Sequence, residues 1–548
     1  MKKFSSFQEL QTFIKTRPAD GVSGTLGSAR QSGEKTLRPF SSDFSGTNIQ
    51  VQGVDEADMV KTDGEYIYTL SGKNVFIVKA NPASEAEVAS KIFLNATASE
   101  IFIRSDRLTV LGNYPSETHS FVKIYDITDR RNPFLVREFL TDGEYFTSRM
   151  IENYVYFVSR SLIWQNKVVL PKIFYGCKTR EIDATEIYYC GIPDYSYQFV
   201  TLMAINIENE SCEPEHLTLL LGATNVLYAS LNNIYIAVGR NTWSKNSQRT
   251  LLHRIQIVND EIRYVAYGEV PGNVLNQFSL DEFEGYLRVA TTTGHVFAWS
   301  SEEIAKNHVY VLNMDLDVVG KLENLAPGEK IHSARFMGNR CYLVTFKKID
   351  PLFVIDLENP SDPRVLGYLK VSGYSDYLHL YDETHLIGVG KETVEAESGN
   401  FALNRGVKIS FFDVTFVTAP EEIGKYVIGD RGTESPVLSD HKAFLFDKSK
   451  KLLVIPILLA ECQTSGSFLP FLGGGYVWQG AYVFTISLDD GLALKGRVTH
   501  IEDSNILDVS FHVKRALYIG NVLYTVSDRK IVMNSLDDLR LMGKVELV

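Results

Sequence analysis

No apolar run in this chain is long enough to cross a bilayer as a helix. The first residues, Met1-Lys2-Lys3-Phe4, are basic, but no apolar signal core follows them. Either the protein works in the cytosol, or these residues belong to a longer precursor with an export signal or anchor elsewhere. Positive charge is not in excess: 55 Lys and Arg stand against 67 Asp and Glu, a formal net charge of −12. That balance argues against nucleic-acid binding through a basic surface and disfavours docking on anionic lipid. Cysteine is scarce, five in 548 residues, and no pair has the close ligand spacing of a zinc site. A nucleophile elbow, a P-loop, a dinucleotide fingerprint and a His-Glu-x-x-His pattern are all missing. Ser, His and Asp are abundant, so a scattered triad stays open, but nothing points to one.

What the chain has is a repeat. A small polar turn precedes a burst of β-formers at Glu152-Asn153 before Tyr154-Val155-Tyr156-Phe157-Val158, and at Asn232-Asn233 before Ile234-Tyr235-Ile236-Ala237-Val238. The phrase returns at Gly338-Asn339 and at Gly520-Asn521. A strand–turn–strand unit recurring every ~40–60 residues predicts an all-β repeat architecture, a single large β-propeller of four-stranded antiparallel blades. Nine units can be parsed. Their second strands are Tyr66–Leu70, Leu108–Leu111, Tyr154–Val158, Ile234–Val238, Leu287–Thr291, Tyr342–Phe346, Leu386–Val389, Leu452–Ile455 and Leu523–Val526. Eight blades, with one unit miscounted or shared at closure, is the alternative. Residues 1–47 stand apart as a short helix over Ser5–Lys15, with Ser6 and Glu9 as a capping pair, and a Gly/Ser/Thr/Pro-rich strap over Pro18–Ser45. Residues 48–548 form the propeller.

An Asp followed by a short turn, often with Pro, marks the passage from third to fourth strand. It stands at Asp126 before Asn132-Pro133, at Asp356 before Asp362-Pro363 and at Asp413 before Pro420. An Asp carboxylate accepts backbone N–H bonds two residues on, so these are read as hairpin staples. Insertions interrupt the repeat at Ile163–Tyr197, Lys391–Arg405 and Cys462–Gly480, and in repeat proteins such loops often carry the binding face. The last contains Gly473-Gly474-Gly475-Tyr476-Val477-Trp478-Gln479-Gly480, which suits a ligand loop or, better, aromatics packed back onto a blade.

Two constellations carry candidate chemistry. Asp55, Glu56, Asp58 and Asp63 crowd one phrase and could bind a hard cation such as calcium through oxygen, though their spacing is not that of an EF-hand. The bland alternative has Asp63-Gly64 making a tight turn and Lys61 balancing the acids. The second constellation is His332, His379, His441 and His512, one near the start of each of the last four units. Registered on the repeat they share side-chain parity, so they are expected to face one channel, where imidazoles could hold a transition metal or bind an anion. The alternative is hydrogen bonding between neighbouring blades. Cys177 and Cys190 share one irregular segment and are read as a local disulfide, which implies an oxidising compartment. Cys341 is read as a buried thiol, and the pairing of Cys212, Cys341 and Cys462 stays open. Asn95-Ala96-Thr97 and Asn209-Glu210-Ser211 are glycosylation sequons.

Three stretches resemble the secreted β-propeller domain family of bacteria and archaea, which is distantly similar to WD-type propellers. They are Asn48–Asp58 running into Val60-Lys61-Thr62-Asp63-Gly64; Arg335-Phe336 through Pro351–Leu357 to Tyr377-Leu378-His379; and Asp440–Asp447 with Gln479–Phe484. The repeat around Asp356 is similar to the LVIVD repeat of cell-surface propellers. Family members usually have Pro after the His of the second stretch, where this chain has Leu380. The resemblance implies export to the cell surface or the extracellular space and transfers no catalytic residue. The expected function is thus an extracytoplasmic binding module for a protein, a glycan or another surface component. A metal-dependent hydrolase or oxidoreductase at the channel mouth, and a structural assembly protein, are the alternatives.

Overall fold

The computed structural model describes residues 1–15, 43–115, 118–163, 167–194, 196–211, 213–242, 247–258, 261–296, 304–347, 350–395, 402–461, 475–502 and 506–548. Most of the expected strap, Cys212, Cys462, Gly473 and Gly474 lie outside them.

Among the described residues, nine sheets follow one another, each built on four antiparallel strands in chain order, with the strands of the first insertion interposed in the third. Numbered as blades, they span residues 60–93, 97–142, 144–221, 224–271, 280–325, 330–371, 374–428, 445–498 and 515–546. Each second strand read from the sequence falls within the second strand of one sheet. The inner strands are apolar on both sides because a sheet lies on either side of them. Val75, Phe76, Ile77 and Val78 of blade 1 are all buried. An apolar cluster fills every gap between neighbours. The ring closes where Leu517, Tyr524 and Ile531 of blade 9 pack on Val60, Ile67 and Phe76 of blade 1.

Three local devices shape the blades. The Asp staples are hairpin bonds: Asp126, Asp356 and Asp413 each accept the backbone N–H two residues on, at 2.9, 3.1 and 2.8 Å. Glycines on the fourth strands let the next blade approach. A Cβ at Gly268, Gly320 or Gly367 would run into the carbonyl oxygen of Leu316, Pro360 or Val417 in the neighbouring turn. Finally, the first strands of blades 2, 3, 4, 6 and 7 carry a bulge near their start, at Ala98/Glu100, Tyr145/Thr147, Thr224/Val226, Ile331/Ser333 and Ser375/Tyr377.

The N-terminal arm and the first insertion cover exposed sheet edges. Lys172–Tyr175 and Lys178–Glu181 extend blade 2 outward, and Tyr188–Tyr189 runs parallel to the outer strand of blade 3 with Lys2–Lys3 beside it. The helix α1 (Phe7–Lys15) packs there through Leu10 and Ile14. Its N-terminal cap is Ser6, whose Oγ accepts the Glu9 N–H at 3.2 Å. Phe7, at the start of the helix, is exposed.

Candidate functional site: the channel axis and the insertion face

The first strand of each blade is innermost, so whatever pairs with first strands lies at the ring's axis. Residues 43–59 do this on opposite sides. Phe44 bridges Ile519 of blade 9, and Val54–Glu56 pairs with the first strand of blade 3. Between them, Asn48 Nδ2 donates to Tyr377 Oη at 2.9 Å and to the His441 carbonyl at 3.0 Å. Gln50 Nε2 donates to the carbonyls of Gln277 and Leu280, both at 3.1 Å. Asp58 then bridges Ile101 of blade 2, and the chain enters blade 1 at Val60. The acidic phrase is therefore a strap across the channel.

Its four acids do not converge. Asp55 accepts from Lys61 Nζ at 2.8 Å, and that ammonium also donates to the Glu56 carbonyl at 2.6 Å. Glu56 accepts from Gln277 Nε2 and from the Gln50 N–H, both at 3.1 Å, and lies 3.8 Å from Arg149 and 3.5 Å from His441. Burial works against its charge, but Arg149 and His441 prevail and hold the carboxyl down at about 2. Asp58 is gripped by Arg515 Nε at 3.0 Å to each oxygen, and Arg515 Nη2 also donates to Asp440 at 2.5 Å. Burial opposes the Asp440 charge too, yet Arg515 and Lys442 keep its pKa well below the usual range. Lys442 donates to Glu100 and to the Ala57 carbonyl. Asp63 sits apart in the Asp63-Gly64 turn, accepting from the Glu65 and Tyr66 N–H groups and from Tyr68 Oη. A cleft of about 120 Å³ beside the strap is lined by Asn48, Lys61, Lys442 and Arg515 among others, but each of its cations already holds a protein carboxylate.

The histidine series is corrected by the bulges. His332 is itself the extra residue of the blade 6 bulge, and its counterpart in blade 7 is Asp376, not His379. One inserted residue reverses the side-chain parity on which the alignment depended. His441 and His512 lie outside the strands, in and just after 3-10 turns that precede blades 8 and 9. Each imidazole has a local partner: His332 Nδ1 with Asp376 at 3.2 Å, His379 Nδ1 with Tyr377 Oη at 2.9 Å, and His512 Nε2 with the Ile506 carbonyl at 2.8 Å. His441 faces Glu56. Among the described residues no group of three His, Cys, Asp or Glu is placed to hold a metal ion.

The expected Cys177–Cys190 bridge is not formed. Both are free thiols, Cys177 exposed on the turn between Tyr175 and Lys178 and Cys190 half-buried after Tyr189. The intervening residues are drawn apart into edge strands on two different blades, which the spacing alone does not reveal. Cys341 is buried, and burial pushes its thiol up to about 12.

All three insertions join a second strand to a third, so all leave the same face of the ring. The first folds back as the edge cover described above. The other two lengthen their hairpins. Blade 7 has second and third strands of 11 and 12 residues and blade 8 of 10 and 13, matched by 10 and 12 in blade 4, against 6 and 6 in blade 1. At ~3.3 Å per residue, such arms rise by ~15 Å beyond the shorter blades. Pairing reaches Glu395–Ala402 and Glu461–Gly475. Tyr476 and Val477 on the blade 8 arm are each 48% exposed. Trp478 folds back instead, its ring 5.3 Å from Tyr482 and covered by Arg497, over a Gly480 whose Cβ would strike it at 2.7 Å.

Residues 44–539 match the beta propeller domain family, and the chain belongs to that family. It is 28% identical to the uncharacterized protein MJ1554 of Methanocaldococcus jannaschii, covering 92% of this chain and 83% of that one. An uncharacterized protein of Archaeoglobus fulgidus is 27% identical, with 92% and 85% covered. Among solved structures, the Pyrococcus horikoshii acylaminoacyl peptidase is similar at 11% identity and a TM-score of 0.27, covering 65% of this chain and 57% of that one. An acylaminoacyl peptidase bound to Z-Gly-Gly-Phe-chloromethyl ketone is similar at 11% identity and a TM-score of 0.30, covering 75% and 59%. This chain thus spans less than two thirds of either peptidase, and likeness at such TM-scores carries no argument about activity.

Proposed function

We propose that the protein is an extracytoplasmic, non-catalytic binding module that meets a protein, a glycan or another surface component through the insertion face of its ring. The observation that carries this is the set of exposed apolar side chains, Tyr476, Val477 and Val394, carried by the lengthened hairpins of adjacent blades 7 and 8. Rigid rings that display loops from a fixed frame suit recognition. Exposed aromatic and aliphatic side chains there supply contact area at low cost in conformational entropy. The axis offers little by comparison, because its charges are matched within the chain. The extracytoplasmic location rests on the resemblance to exported propellers.

Two measurements test the proposal. Protease treatment of intact cells of the source organism should degrade the protein while cytosolic markers survive, and full protection would contradict the location. Purified protein should be retained on isolated cell-envelope material, and the Tyr476→Ser/Val477→Ser variant should lose at least tenfold in affinity with its melting point unchanged. Equal retention of both proteins would overturn the assignment of the face.

A further inference from the structure

The four strands of every blade follow one another in sequence order, with the edge strands of the first insertion interposed in blade 3, and no blade takes its four strands from both ends of the chain. The seam between blades 9 and 1 therefore lacks the backbone ladder that a shared blade would provide. Side chains hold part of it: the apolar cluster already described, Tyr524 Oη donating to the Ala80 carbonyl at 2.7 Å, and Ser71 Oγ donating to the Asp528 carbonyl at 2.6 Å. The strap supplies the rest. Phe44 straddles the seam. Its backbone pairs with Ile519 of blade 9, through Ser45 N–H to the Tyr518 carbonyl at 3.0 Å and Gly520 N–H to the Asp43 carbonyl at 2.6 Å. Its ring lies on Gly64 in the first turn of blade 1, at a φ of +93° and so close that a Cβ could not fit. At the other end of the strap, Asp58 stands two residues before blade 1 and is held by Arg515 of blade 9.

We propose that residues 43–59 are the clasp of the ring: the strap and the blade 9–blade 1 seam open in one event, and the strap is not a plug that leaves a closed ring behind. The strap is tied by backbone pairing to blades 9, 3 and 2, and by buried charge to blades 9 and 3, so it cannot leave without freeing both sides of the seam. The channel is accordingly a structural core and not a conduit.

Native-state hydrogen exchange on the intact protein tests this, because amides that open together exchange together. The amides of Ser45, Asp58 and Ile101, which close the strap's backbone bonds, are expected to share one rate with core amides of blades 9 and 1. In Asp58→Asn both sets should accelerate together, by at least tenfold. Strap amides exchanging tenfold or more faster than the seam, in either protein, would overturn the clasp. Should Asp58→Asn fail to fold, a second variant gives an independent reading. Phe44 and Ile519 form a non-hydrogen-bonded antiparallel pair, the geometry in which Cβ atoms approach closely enough for a disulfide. Oxidised Phe44→Cys/Ile519→Cys should slow seam exchange at least tenfold relative to its reduced form. Unchanged seam exchange with the bond confirmed by mass mapping would equally overturn the proposal.

Discussion

The acidic strap and the arms of blades 7 and 8 both depart from the repeat, and they depart in opposite directions. The strap turns inward. Its carboxylates meet Lys61, Arg149 and Arg515, and its backbone joins strands on three blades. The arms turn outward and leave Tyr476 and Val477 half-exposed to solvent. In the sequence, the cluster of acids reads as candidate chemistry and the insertions as loops that could carry a binding face. The structure reverses the weights: charge at the axis is matched by partners across the ring, and the longer hairpins of blades 7 and 8 present Val394, Tyr476 and Val477 to solvent.

The contrast can be broken from either side. Asp58→Ala leaves Arg515 buried with only Asp440 opposite, and removing one partner of a buried pair typically costs ~3–5 kcal/mol. Urea unfolding is expected to show a loss of that order, and a change under about 1 kcal/mol would mean that the strap is not integral. Gly367→Val drives a side chain into the Val417 carbonyl and should cost ~1–3 kcal/mol or more, read from the same transition.

Acid is the next lever. Burial pushes His253 and His500 down to about 3, so the folded state holds both neutral where the unfolded chain binds protons. Between pH 6.5 and 3 stability should therefore fall as pH falls, by up to ~1.4 kcal/mol per pH unit for each histidine. Glu56 acts in the same direction but lower. Its contribution is complete above the ordinary carboxylate range and disappears as pH drops through about 2. A His500→Gln variant should flatten the pH 3–6.5 limb, and an unchanged slope would remove His500 from the account. The smallest effects belong to the arms: Tyr476→Ser and Val477→Ser should change stability by no more than about 0.5 kcal/mol. Exchanging calcium for a chelator should leave the melting point where it was, since each acid of the phrase already has a protein donor; a rise with calcium would restore the cation site.

The repeat was legible because a polar turn before a β burst marks each second strand, and those nine strands stand where the pattern put them. Other signals were present but passed over. A glycine recurs in the fourth strands at Gly268, Gly320, Gly367 and Gly496, and its meaning is the approach of the next blade. The histidine register failed for a local reason: a bulge adds a residue to the first strand without changing its composition. The axis could not be seen at all, because Asp58 and Arg515 are 457 residues apart and only ring closure brings them together. Lys61, close in sequence, was the one partner that spacing could suggest.

The central claim is that the axis holds the ring while the insertion face does the binding. Retention on isolated cell-envelope material, measured side by side for wild type, Asp58→Asn and Tyr476→Ser/Val477→Ser at a temperature where all three are folded, tests it most directly. The account predicts that the strap variant binds as wild type does and the arm variant loses at least tenfold. Loss of binding in the strap variant with full binding in the arm variant would contradict it.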